Sequence, residues 1–220
     1  MHIGAMAHHA ECGENYSTEI AERVLNQYFD YAVAKAPNSS KAVLLIGGDF
    51  LHSDGMEAVT PTSKHVLDQD SRYHKLVYVA VRATRRAISK MLDKHKEIEV
   101  QIIPGNHDLS GMIWLRAAMA AFYMDEPRVN VDASPAALHV TQFGKTLLGY
   151  CHGLTLDSQL LQETIARHLV MLSMFIHIAA IYTTRQLLKA IWALMSHMVR
   201  WVQKMRTAQT EGIVHIVRPQ

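Results

Sequence analysis

The chain has 220 residues, of which 49% are hydrophobic, and its formal net charge at neutral pH is +2. This length predicts one domain, or one domain with an appendage, and the apolar content allows a sizeable core. The small net charge gives no electrostatic argument for or against nucleic acid as a partner. The two cysteines, Cys12 and Cys151, lack the spacing of a metal site and indicate free thiols in a reducing cytoplasm.

The N-terminal residues 1–4 have no basic stretch followed by an apolar core, so they are not a secretory signal and we expect a cytoplasmic protein. The stretch 11–36 then has helical spacing of its apolar residues from Ile20 onward, with a capping residue in the Tyr16-Ser17-Thr18 run at its start. A loop at 37–40 leads into a strand, so helix and strand alternate as in βαβ units.

That strand belongs to segment 41–55, KAVLLIGGDFLHSDG. The apolar run 43–46 predicts a strand buried on both faces. Two glycines follow it, and then Asp49, His52 and Asp54. Ligands of open α/β sheets bind outside the carboxyl ends of the strands, so these side chains are candidates for a site.

The polar stretch 55–71 favours a lid or a substrate-contact loop, with His65, Asp68 or Asp70 as contacts. The alternative is a solvated connection. Residues 72–94 then predict a helix whose apolar face is formed by Val77, Val81, Ile88 and Leu92. Its basic flank is either a solvated face or a contact for a phosphate backbone, and comprises Arg82, Arg85, Arg86 and Lys90.

A second strand is predicted at 99–103, and it runs into Asn106, His107 and Asp108. The following helix, 110–123, begins beside these residues, where its free amides would favour an anion such as phosphate. A short strand at 127–131 and a hairpin of strands 138–142 and 145–150 follow, and the hairpin ends at His152. Carboxylate, amide and imidazole ligands at three strand ends suit a pair of divalent ions such as Mn, Fe, Zn or Mg.

These motifs carry a resemblance. GGDFLH resembles the GDxxH motif of the calcineurin-like metallophosphoesterases, PGNHD resembles their GNHD motif, and the strand ending in CHG is similar to their later single-histidine motif. The likeness covers residues 1–153, and it extends to the repair nucleases and the phage-type phosphoesterases of this superfamily. It implies an α/β fold, a four-layer αββα sandwich, and two-metal hydrolysis of a phosphoester such as DNA.

The resemblance also implies roles for single residues. Asp49 would bridge two ions, His2 would bind the first ion, and Asn106 and His152 would bind the second. Among the catalytic residues, His107 would protonate the leaving group, Asp108 would orient His107, and His52 would act near the phosphate. Without the resemblance, Asp49 reads as a turn cap, and Asn106 and Asp108 as turn formers.

The chain departs from the family pattern at two places. The family's first motif is DxHxG. His2 and Gly4 match its histidine and glycine, while its aspartate would precede Met1. Two explanations stay open: the chain starts inside this motif, or residues 1–4 are an ordinary start. The family's final GHxH motif does not occur in the 220 residues. The sequence therefore predicts weak or single-metal binding and little catalysis.

Residues 154–220 form an atypical tail that is rich in apolar and basic residues and predicts helices. The tail is either a frameshifted end or real divergence, and it would pack on the core or on a second copy of the chain rather than span a membrane. Three functions stay open: a phosphoesterase with nuclease-like activity, an inactive relative that keeps the fold, and an interaction module that uses the tail.

Overall fold

A computed structural model describes residues 1–136, 138–144 and 146–152. The predicted helical tail at 154–220, and the dimer contact assigned to it, lie outside the described residues. Within them the chain is a mixed α/β structure with one parallel and one antiparallel sheet.

The parallel sheet has three strands in the order β1-β2-β3: Lys41–Gly47, Glu97–Ile103 and Val129–Val131. The register pairs Lys41 with Glu97 and Gly47 with Ile103, so β1 and β2 end at the same edge of the sheet. Both strands were predicted from their apolar runs. This register is what brings the two polar loops after them side by side.

The described residues form four helices: α1, His9–Cys12; α2, Thr18–Lys35; α3, Tyr73–Leu92; and α4, Leu109–Phe122. α3 and α4 pack on the sheet and α2 packs beside α3, whereas α1 has no buried residues. The core between helices and sheet is built from alternate residues of the strands, such as Ile98, Val100 and Ile102, and from one side of α3 and α4. Ser17 caps α2 as predicted, because its Oγ accepts a hydrogen bond from the Ile20 amide at 3.3 Å.

The second sheet is the predicted hairpin, β4 at His139–Phe143 and β5 at Thr146–Tyr150, paired antiparallel. It contacts the face of β2 opposite the helices, where Thr141 Oγ1 donates to Glu99 Oε1 at 2.6 Å. The expectation that β1 is buried on both faces is wrong for the described residues. Leu44 and Ile46 are buried against the helices, while Val43 and Leu45 on the other side are half-buried.

The basic flank of α3 packs beside α2, and two carboxylates of α2 pair with three of its four cations. Arg82 makes two hydrogen bonds of 2.7 Å to Glu22, and Lys90 lies 3.1 Å from Asp30. The pairing favours the solvated-face interpretation over a phosphate contact. In the part of the chain that the structure describes, none of the helices has the length and apolar character needed to cross a membrane.

Candidate metal centre

The loops after β1 and β2 touch each other through glycines. Gly48 has a φ of +88°, and a Cβ on it would clash with the His152 ring and lie 2.9 Å from the Gly105 Cα. A Cβ on Gly105 would clash with Asp49 Oδ1 and with the Asp49 amide nitrogen. The chain can bring a carboxylate, an amide and an imidazole into one place only because these two positions carry no side chain.

The carboxylate of Asp108 fixes both loops from inside. Its Oδ1 accepts from the amides of Gly105 at 2.8 Å and Asp49 at 3.2 Å, and its Oδ2 accepts from Phe50 at 2.6 Å and Leu51 at 3.0 Å. The side chain is completely buried. Burial raises the pKa of the Asp108 carboxyl, and the amide hydrogen bonds oppose that shift. Asp108 therefore holds the backbone of the site.

This finding changes the role expected for Asp108. The sequence placed it as the partner that orients the imidazole of His107, but the ring partner is a backbone carbonyl: His107 Nδ1 lies 2.8 Å from His52 O. The turn-forming alternative explains Asp108 better, because all four hydrogen bonds that the structure gives its carboxylate come from the main chain.

The start of α4 differs from expectation as well. Its amides were expected to favour phosphate, but Asp54 already occupies them: Oδ2 accepts from Ser110 at 2.8 Å and Oδ1 from Gly111 at 2.6 Å. Asp54 thus ties the loop after β1 to α4. The negative charge at this helix start is supplied by the chain itself.

Asp49, Asn106 and His152 converge on one point. His152 Nε2 lies 3.2 Å from Asn106 Oδ1 and 3.4 Å from Asp49 Oδ2. Asp49 Oδ1 also accepts from the His107 amide at 3.0 Å, which fixes the carboxylate. The backbone of Asp49 has a φ of +52°, a conformation that residues other than glycine rarely adopt. Such local strain is concentrated at functional sites.

The tautomer of His152 makes this point attractive to a cation. Its Nδ1 lies 2.9 Å from Gly47 O, and a carbonyl oxygen only accepts, so Nδ1 carries the proton. In the neutral ring Nε2 then presents a lone pair toward Asn106 Oδ1 and Asp49 Oδ2. Imidazole nitrogen, amide oxygen and carboxylate oxygen are all ligand types of borderline divalent cations.

The N-terminal residues enter the site beside the loop after β1. Ile3 pairs with Leu51 in a parallel bridge, and the His2 amide donates to Asp49 O at 3.0 Å. His2 has a φ of +47°, and its Nε2 lies 3.9 Å from Asp49 Oδ2. The same oxygen, Asp49 Oδ2, therefore has both the His2 ring and the His152 ring near it.

Three half-buried histidines, His2, His52 and His107, form a cluster that could hold a metal ion. One ring nitrogen from each lies within 4.8 Å of the others. Burial lowers the pKa of His2 from 6.5 to about 4 and, with the neighbouring His107, lowers the pKa of His52. Rings with lowered pKa values are neutral at pH 7, which is the form that binds metals.

The structure brings together all the residues that the sequence proposed for the site: His2, Asp49, His52, Asn106, His107, Asp108 and His152. Of the contacts expected from loop 55–71, only Asp68 reaches the site, through a backbone hydrogen bond to the His52 ring. Asp70 instead accepts from the Thr18 amide at 2.8 Å, at the start of α2, and His65 is exposed.

Sequence reasoning missed Asp54 as the residue that fixes α4. Its partners lie 56 and 57 residues further along the chain, so no local pattern could have indicated them. It also missed Tyr16, whose hydroxyl donates to Met1 O at 2.6 Å and secures the segment that carries His2.

The geometry can therefore offer carboxylate, amide and imidazole ligands from four separate segments to one or two divalent cations. No family model, curated protein or solved structure matches this chain.

Proposed function

We propose that this chain is a metal-dependent phosphoester hydrolase of the calcineurin-like type, with phosphodiesters such as DNA as its substrate class. The observation that carries the proposal is the position of the Asp49 carboxylate, whose Oδ2 lies 3.9 Å from His2 Nε2 and 3.4 Å from His152 Nε2. A carboxylate close to imidazoles from two separate segments is suited to be shared by two metal ions.

The ligand types support Mn, Fe or Zn, with Mg as a weaker fit. Asn106 and Asp49 supply oxygen, while His2 and His152 supply nitrogen, and mixed oxygen and imidazole sets suit borderline transition metals. His152 also has the hydrogen bond from Nδ1 to a backbone carbonyl that metal-ligating histidines usually make.

Bound ions would lower the pKa of a water nucleophile and offset the charge that develops on the phosphate. The chain contributes a rigid frame for this chemistry. Asp108 holds the two loops by four amide hydrogen bonds, and Asp54 anchors the loop after β1 to α4. His107 acts as an acid toward the leaving group only after Nε2 takes up a proton, because Nδ1 already faces His52 O.

Hydrolysis of bis-p-nitrophenyl phosphate and of single-stranded DNA in the presence of MnCl₂ tests the proposal. We expect hydrolysis that EDTA abolishes and that Asp49→Ala and His152→Ala each reduce by about a hundredfold or more. His65→Ala is the matched control, because it removes an exposed imidazole from a neighbouring loop. Equal hydrolysis by Asp49→Ala and the unmodified chain would refute the proposal.

The second candidate is a relative that binds ions without turnover. It is favoured by the absence of a GHxH motif from the 220 residues. Isothermal titration with MnCl₂, run beside the hydrolysis assay, separates the two: binding that depends on Asp49 without any hydrolysis identifies the inactive relative.

A further inference from the structure

Three histidines from separate segments, His2, His52 and His107, bring their rings together in one cluster. His2 comes from the N-terminal segment, His52 from the loop after β1 and His107 from the loop after β2. One nitrogen from each lies within 4.8 Å of the other two. The rings of His52 and His107 are nearly parallel, at 22°, and the ring of His2 stands edge-on to both.

The ring of His107 is oriented like that of a metal ligand. Its Nδ1 lies 2.8 Å from His52 O, so the proton is on Nδ1 and the lone pair of the neutral ring is on Nε2. The ring of His52 in turn hydrogen-bonds the backbone of Asp68. Backbone carbonyls of this kind fix the tautomer of metal-bound histidines in other proteins.

The spacing of two of the nitrogens fits a small tetrahedral ion. His2 Nδ1 and His52 Nδ1 are 3.4 Å apart. Two imidazole nitrogens on one tetrahedral zinc, each at about 2.0–2.1 Å from the metal, lie roughly 3.3–3.4 Å from each other. The two rings therefore already have the separation that a shared ion would impose.

We infer that His2, His52 and His107 form a three-imidazole centre for a zinc-class divalent ion (Zn²⁺, Co²⁺ or Ni²⁺) that discriminates against Mg²⁺. This inference rests on the proposed function in one respect: the centre takes the place of the first ion of the two-metal site, and it uses His2 Nδ1 rather than the Nε2 that faces Asp49. It also reassigns His52 and His107 as metal ligands. The discrimination follows because imidazole suits zinc-class ions, whereas Mg²⁺ prefers oxygen.

Titration of the full chain with CoCl₂, followed by visible absorption, tests this centre directly. We expect a spectrum of four- or five-coordinate Co²⁺ that ZnCl₂ removes and that a large excess of MgCl₂ leaves in place. His52→Ala and His107→Ala should each weaken Co²⁺ binding by at least about tenfold. His65→Ala should leave both the spectrum and the affinity unchanged, since that side chain is exposed and outside the cluster.

Circular dichroism of the metal-free variants serves as the check that they are folded. If the alanine variants unfold, the titration is repeated with His52→Gln and His107→Gln, which keep a polar side chain of similar length. Wild-type affinity for Co²⁺ in folded His52 and His107 variants would overturn the inference, as would displacement of Co²⁺ by MgCl₂ as readily as by ZnCl₂.

The same variants separate this inference from the proposed function. If the unmodified chain hydrolyses bis-p-nitrophenyl phosphate but its Co²⁺ spectrum is unchanged in the His52 and His107 variants, the proposed hydrolase activity stands and the three-imidazole centre is refuted. If the Co²⁺ spectrum is lost in both variants but the unmodified chain shows no hydrolysis, the three-imidazole centre stands and the hydrolase activity is refuted.

Discussion

Replacing Asp108 by asparagine tests whether this residue holds the site together. The carboxylate accepts two amide hydrogen bonds on each oxygen, and the residue is completely buried. In Asp108→Asn, the amide nitrogen replaces one oxygen and faces two backbone N–H groups that have lost their acceptor. A buried donor without a partner costs about 1–3 kcal/mol, so two cost roughly 2–6 kcal/mol.

That loss is a large fraction of the about 5–15 kcal/mol by which a folded domain is stable. Urea unfolding, followed by circular dichroism, should show a fall of about 1–3 M in the midpoint for Asp108→Asn at a urea dependence of about 2 kcal/mol per M, the middle of the range for small domains. Asp54→Asn is the matched control. It also removes a carboxylate bonded to two amides, but each oxygen accepts only one bond, so one amide loses its acceptor, at a half-buried helix start that water can reach.

A shift for Asp108→Asn that is no larger than the shift for Asp54→Asn would refute this account of Asp108. If Asp108 instead acted by orienting His107, the variant would lose hydrolysis while its unfolding midpoint stayed near that of the unmodified chain.

The remaining predictions concern one contact each. Gly105→Ala should abolish Mn²⁺ binding in isothermal titration, because its Cβ would clash with Asp49 Oδ1; retained affinity would contradict the close approach of the loops. The free energy of unfolding should fall as the pH drops from about 6.5 to 4, because burial lowers the pKa of His2 to about 4 in the folded chain and the unfolded chain binds more protons than the folded chain in this range. His2→Gln should reduce the slope of the urea midpoint against pH. An unchanged slope would contradict this role of His2. Arg82→Ala should lower the free energy of unfolding by only about 0.2–1 kcal/mol, because its ion pair with Glu22 is solvent-exposed, and a loss several times larger would show that the pair is more than a surface contact.

The sequence was sufficient to predict that the candidate side chains lie close together, because parallel strands carry their following loops to one edge. The strand that ends at Gly47 and the strand that ends at Ile103 are paired at those two residues, so Asp49 and Asn106 had to be neighbours. His2 was harder to place, since its position depends on a single bridge between Ile3 and Leu51.

The buried face of α3 was predicted only approximately. Of the four residues expected on it, Ile88 is fully buried, whereas Val77, Val81 and Leu92 are half-buried. The face is rotated toward small residues, which include Ala80, Ala83 and Ala87. A pattern that counts only large apolar side chains overlooks them, although small residues allow close packing of a helix on its neighbours.

The roles of the carboxylates could not be read from the sequence, because their partners are remote. Three of the four amides that Asp108 accepts from lie 57 to 59 residues away, and Asp54 accepts from amides 56 and 57 residues away. Residue types near a strand end indicate that metal ligands are present. Which carboxylate faces the ion and which one holds the backbone depends on tertiary contacts alone.

Under the proposed function, Asp49, Asn106, His152 and the histidine cluster surround bound cations. Anomalous diffraction from crystals of the full chain grown with ZnCl₂ tests this claim most directly. We predict a peak about 2.0–2.2 Å from Asp49 Oδ2 and His152 Nε2, and a second peak at the nitrogens of His2, His52 and His107. Maps at saturating zinc without a peak within bonding distance of Asp49 would contradict the claim.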